Sequence, residues 1–87
     1  MNPRVKKVKP EQNFKLRISF DNGEVRIFDM SPHLDLGIFK ELKNTTYFRH
    51  VKPRYGTIAW PHGQDICPDT LYQESIVTKG VHKSTKK

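Results

Sequence analysis

The sequence predicts an α+β domain: a small antiparallel sheet, formed by a β-meander and a second hairpin, with two or three short helices. Three observations lead there. FKLRISF alternates apolar and polar residues with the period of a half-buried strand. DNG stands between that run and VRIF, a hairpin signal. CPDTLY has the form of a helix start, with proline just inside and an acid in the first turn.

In chain order, Val5 to Lys9 reads as a first strand closed by Pro10. Phe14, Leu16, Ile18 and Phe20 then alternate with Lys15, Arg17 and Ser19, giving a strand with one wet face. A type I′ turn at Asn22-Gly23 would set Phe20 opposite Val25 and Ile18 opposite Ile27, so that the apolar faces match. The same register leaves Phe28 on the wet face, where another element is expected to cover it. Ser31-Pro32 suits an N-cap and first helical position. Ile38, Phe39 and Leu42, interleaved with Lys40, Glu41 and Lys43, predict two turns of amphipathic helix. Asn44 can cap a further turn carrying Tyr47 and Phe48. Residues 50–54 and 57–60 read as a hairpin about Tyr55-Gly56, with Pro53 demanding an edge position. Pro61-His62-Gly63 is a turn, and a helix from Pro68, with Cys67 at its N-cap, fades by Ser75. The expected organisation is a single domain over 1–77 and a basic, disordered tail over 78–87.

Eighty-seven residues make one thin-cored domain. The formal net charge is +7, concentrated at the two ends and around Arg49, Lys52 and Arg54. That asymmetry suits an acidic protein partner or nucleic acid. One cysteine forms no internal disulfide, and no apolar run approaches the roughly 20 residues of a membrane helix. No apolar leader follows the charged N-terminus, so a cytoplasmic protein without membrane contact is expected.

Cys67 is the sharpest candidate for chemistry, because free N–H groups at a helix start stabilise a thiolate. His62 could act as its base and Asp65 could orient that base. The competing reading makes Cys67 a cap, His62 a turn residue and Asp65 a backbone acceptor, and no protease or oxidoreductase signature favours the first. His33, His50, His62 and His82 show no metal-ligand spacing. Asp29, Asp35, Asp65 and Asp69 all have turn or cap explanations, and no glycine cluster cradles a phosphate. Neither catalytic residues, nor a metal, nor a cofactor is expected. The basic stretch Arg49, Lys52 and Arg54 with Tyr55 can serve a protein contact or hold single-stranded nucleic acid by charge and stacking. It can also be a solvated edge strand guarded by its charges.

RVKKVKP, LRISFDNGEVRIFDMSPHL, FKEL, YFRHV and GTIAWPHGQDICPDTLYQES together resemble the domain of unknown function 2442 family of small bacterial proteins. The resemblance covers residues 1–75 and implies a small α+β fold without known catalytic residues. Some similar proteins add a helix-turn-helix DNA-binding domain after this one. Others look like the second half of a two-gene unit resembling a toxin–antitoxin pair. In this chain the basic tail stands where the added domain would follow, so control of transcription by the chain alone is not expected. The family pattern also admits other small residues at the place of Cys67.

The resulting expectation is a non-enzymatic interaction module that binds a small partner protein, as an antitoxin-like subunit. The alternative is a nucleic-acid-binding accessory protein. Arg49, Lys52, Arg54 and Tyr55 are the expected partner-binding residues. Trp60, Gly63, Asp65, Pro68 and Tyr72 are assigned to architecture. Oligomeric state stays open, a homodimer included.

Overall fold

The computed structural model describes residues 2–79. Its strands are β1 (Val5–Glu11), β2 (Lys15–Phe20), β3 (Val25–Asp29), β4 (Lys52–Arg54), β5 (Thr57–Ala59) and β6 (Ile76–Lys79). Helix α1 spans Thr45–Phe48 and α2 spans Pro68–Glu74, and short 3-10 turns occupy Gln12–Phe14, Ser31–His33 and Gly37–Lys43. One sheet has the order β1-β2-β3-β6, all antiparallel, and β4-β5 forms a separate hairpin. The architecture is therefore α+β, with the expected meander and second hairpin.

Beyond the expected sheet, β6 returns as a fourth strand and pairs with β3. It takes in Thr78 and Lys79, at the start of the expected tail. The expected tail from residue 80 onward, with His82, lies outside the described residues. Strand β1 does not close at Pro10 but runs through it to Glu11, with Pro10 opposite Leu16. As an edge strand β1 can carry a residue that donates no ladder bond.

The β2–β3 register differs from expectation by one residue. Ser19 faces Val25, Ile18 faces Arg26, Arg17 faces Ile27 and Leu16 faces Phe28. The connection is a three-residue loop: the Phe20 N–H donates to the Glu24 carbonyl at 2.9 Å, and within the loop only Gly23 has positive φ (91°). A type I′ turn would need positive φ at Asn22 as well, whereas the three-residue loop needs it only at its last position. Because a one-residue slip reverses every side chain, Glu24, Arg26 and Phe28 join Leu16, Ile18 and Phe20 on the core face. Phe28 is buried on the core face beneath the helical segments, not by a cover on the wet side.

All helical segments pack on that one face. Leu16, Ile18, Met30, Leu42, Ile58 and Leu71 are fully buried there, with Phe28, Phe48 and Trp60 almost so. Each such side chain contributes about 1.5–3 kcal/mol on burial. The expected amphipathic helix over Ile38–Lys43 is instead a 3-10 stretch that buries Leu42 and leaves Ile38 64% exposed. The backbone at Asn44 turns extended, which ends it; Asn44 then caps α1 by accepting from the N–H groups of Thr46 (3.0 Å) and Tyr47 (3.2 Å).

Candidate functional site

The β4–β5 hairpin closes through Tyr55 and Gly56, which have φ of +50° and +81°. Here, not at Asn22-Gly23, the chain makes a two-residue turn with positive φ at both positions. A tyrosine in this left-handed region costs roughly 1–2 kcal/mol relative to the right-handed one. Its ring nevertheless points into solvent, 80% exposed, with the Arg54 guanidinium 5.1 Å from the ring centre. The Gly56 carbonyl accepts from the Val5 N–H at 3.0 Å. The Arg4 guanidinium lies where a side chain on Gly56 would stand, 2.8 Å from that Cβ position. The start of β1 thus braces the tip.

Lys52, Arg54 and Tyr55 are all exposed on this hairpin, and Pro53 lies opposite Ile58 in a two-stranded sheet where neither strand is central. Arg54 and Ala59 are shared by two open hollows on either side, of about 460 and 270 Å³. Lys52 and Trp60 line the smaller one, and Tyr55, Asp65 and Cys67 the larger. Arg49 lies outside this hairpin. It follows α1 and borders a different hollow, of about 400 Å³, beside Glu11 and Phe14. None of these three cations makes an ion pair among the described residues.

The stretch from Trp60 to Tyr72 supports the hairpin from behind. Trp60 is buried and donates its indole N–H to the Phe48 carbonyl at 2.9 Å. Gly63, at φ +98°, lets the chain turn so that its N–H reaches the Trp60 carbonyl. Asp65 bridges to Ala59, and the Thr57 hydroxyl donates to the Ile66 carbonyl at 2.7 Å. Pro68 opens α2, and the Cys67 side chain makes no cap bond. Tyr72 donates its hydroxyl to Glu24 at 2.7 Å.

Cys67 is exposed and lines the larger hollow with Asp65. His62, the candidate base, is engaged elsewhere: Nδ1 lies 2.7 Å from Glu41 Oε2 and the ring stacks on Tyr47 at 4.9 Å. No hydrogen bond joins Cys67, His62 and Asp65 among the described residues. Nor does any group of three His, Cys, Asp or Glu side chains there stand close enough to hold a metal ion.

Two polar networks escape sequence reasoning. In the first, the buried Gln64 amide donates to Glu41 Oε1 (2.9 Å) and the Ile38 carbonyl (3.1 Å). Its oxygen accepts from the Tyr47 hydroxyl at 2.7 Å, and that hydroxyl accepts from the His62 N–H at 2.8 Å. In the second, buried Glu24 accepts from Tyr72 and from Arg26 Nε at 3.0 Å. Arg26 also donates to the carbonyls of Tyr72 and Ser75, and its guanidinium lies 3.8 Å over the Tyr72 ring. The Tyr72 hydroxyl above all, and then Arg26, hold the Glu24 carboxyl below its ordinary pKa against the opposing effect of burial. The available signal was the spacing of Glu24, Arg26 and Phe28 on one strand face.

No helix among the described residues is long and apolar enough to cross a membrane. Comparison with curated proteins and with solved structures found no match in either. The family model described as protein of unknown function (DUF2442) matches residues 5–77, nearly the whole described fold, and the chain belongs to that family.

Proposed function

We propose that the chain is a non-enzymatic interaction module that binds a small partner protein through the β4–β5 hairpin, as an antitoxin-like subunit of a bacterial two-gene unit in the cytoplasm. The observation that carries this reading is Tyr55: a large ring held in a strained backbone region and left 80% exposed. Strain kept in a segment that gains no internal packing from it points to an external role. A tyrosine flanked by arginine is a common anchor composition, because the ring buries much area with two rotatable bonds and the planar guanidinium offers a fixed fork of donors. Arg54 and Lys52 would complement acidic groups on the partner's rim, and Arg49 a more distant one.

The test is purification of the tagged chain from its native cells after nuclease treatment, with Tyr55→Ala and Arg54→Glu variants in parallel. A small protein recovered in stoichiometric amount with the parent chain and lost from both variants is expected. Its retention by both variants refutes the hairpin as the contact.

The stacked Arg54–Tyr55 pair also supports a second reading, in which an unpaired base stacks on the exposed ring. Binding through several phosphates would weaken about a thousandfold between roughly 50 and 200 mM salt. A packed protein contact would change far less.

A further inference from the structure

Every helical element packs on one face of the β1-β2-β3-β6 sheet, so no other described residue covers the opposite face. The register fixes what it displays. One row across the strands is Lys9, Arg17, Ile27 and Ile76, and the next is Lys7, Ser19, Val25 and Lys79. A third row holds Glu11, Lys15 and Asp29. The half formed by β1 and β2 is therefore mainly basic, and β3 and β6 add an apolar strip of Val25, Ile27 and Ile76, flanked by Asp29 and Lys79. Ile76 is 71% exposed, and Val25 and Ile27 are only half-buried. Glu11 is committed to Arg17 at 2.7 Å, and Asp29 accepts from the N–H and hydroxyl of Ser31. Lys7, Lys9 and Lys15 make no ion pair among the described residues.

The geometry points to this open sheet face as a second docking surface, whose occupant is a protein segment carrying an acidic strip beside an apolar one. Charge complementarity selects it. A second copy laid face to face would set Lys7, Lys9, Lys15 and Arg17 either against the same four cations or against the apolar strip, and in neither case against an acidic row. Nucleic acid would find phosphate partners but no ring to stack on, since the three rows contain no aromatic residue. It would also leave Val25, Ile27 and Ile76 uncovered. An amphipathic acidic segment satisfies both halves at once. Four strands about 4.8 Å apart and some five residues long present roughly 300 Å² in projection, so binding should be weak. This surface is distinct from the hairpin and stands whether or not Tyr55 contacts a partner.

The test is a titration of the isotope-labelled full chain, followed by amide chemical shifts. The probe is a helical peptide of roughly 18 residues with glutamate along one side and leucine along the other. Polyglutamate of equal charge and a single-stranded oligonucleotide serve as comparison ligands. The peptide should shift the amides of Lys9, Arg17, Ile27 and Ile76, with a Kd on the order of 100 μM. Arg17→Glu and Ile76→Asp, both at exposed positions, should each weaken it by about tenfold while keeping a folded spectrum. Lys40→Glu, an equal charge change away from the face, should alter it less than about twofold. The proposal is overturned by no shifts at millimolar peptide, by shifts confined to other surfaces, or by polyglutamate or the oligonucleotide binding the same rows as tightly.

Discussion

Replacing Glu24 with glutamine removes one charge from the cluster that ties β3 to α2. Glu24 is 8% exposed and accepts hydrogen bonds from Tyr72 (2.7 Å) and Arg26 (3.0 Å). Hydrogen bonds to a charged group contribute about 1.5–3 kcal/mol each. Glutamine keeps an acceptor oxygen of weaker strength, and Arg26 retains the Tyr72 and Ser75 carbonyls and the Tyr72 ring. The expected loss is therefore about 2 kcal/mol, not the 3–5 kcal/mol of a buried charge stripped of all partners. Against a total of roughly 5–10 kcal/mol for a chain of this length, that should lower Tm by about 10 °C. The pH dependence follows from the depressed pKa of Glu24. A carboxyl whose folded pKa lies below its unfolded value contributes stability fully above the unfolded value, about 4.3 for glutamate. That contribution is lost as pH falls through the lower, folded value. Urea unfolding of both proteins should show the full gap at pH 7 and a shrinking one in acid. A gap below about 0.5 kcal/mol at neutral pH, or one undiminished at roughly pH 2.5, would refute the assignment of the charge to this cluster.

Other substitutions test separate parts of the fold. Trp60→Phe leaves the Phe48 carbonyl without its indole donor and opens space, so denaturant unfolding should show a loss of about 2 kcal/mol. Asn44→Ala removes the acceptor for two N–H groups of α1 and should cost about 1 kcal/mol in the same measurement. Tyr55→Asn places a residue that tolerates positive φ at a strained tip. Calorimetry should find it as stable as the parent or more stable by up to about 1 kcal/mol, while the hairpin reading requires it to lose the partner.

Much of the chain was legible because its signals are local. The alternation of β2 identifies its buried face without help from any other element. Asn44 caps α1 and Pro68 opens α2, as each does through contacts within a turn. The hairpin about Tyr55-Gly56 was also readable, because glycine marks a position where positive φ is free of steric cost. By contrast, β3 carries apolar residues on both faces: Val25 and Ile27 on one, Phe28 on the other. Its pattern fits two registers, and the loop's hydrogen bonds chose between them.

Among the candidate binding residues, sequence adjacency grouped Arg49 with Lys52, Arg54 and Tyr55, and the fold separated it. The turn after α1 intervenes, so Arg49 borders the hollow beside Phe14 and Lys52 the one beside Trp60. The acidic and basic groups of the core face could not be paired in advance either, since Arg26 meets carbonyls of Tyr72 and Ser75 brought in by α2. What the sequence determined by itself is the α+β class, the buried face of β2, the helix starts at Asn44 and Pro68, and a basic hairpin about Tyr55-Gly56, because periodicity, caps and turns act over a few residues. Tertiary structure alone decided the return of β6, the buried Glu24–Arg26–Tyr72 cluster and the basic-and-apolar sheet face left uncovered by the described residues. Those depend on which distant segments meet, and a half-buried polar side chain is stable only when such a partner arrives.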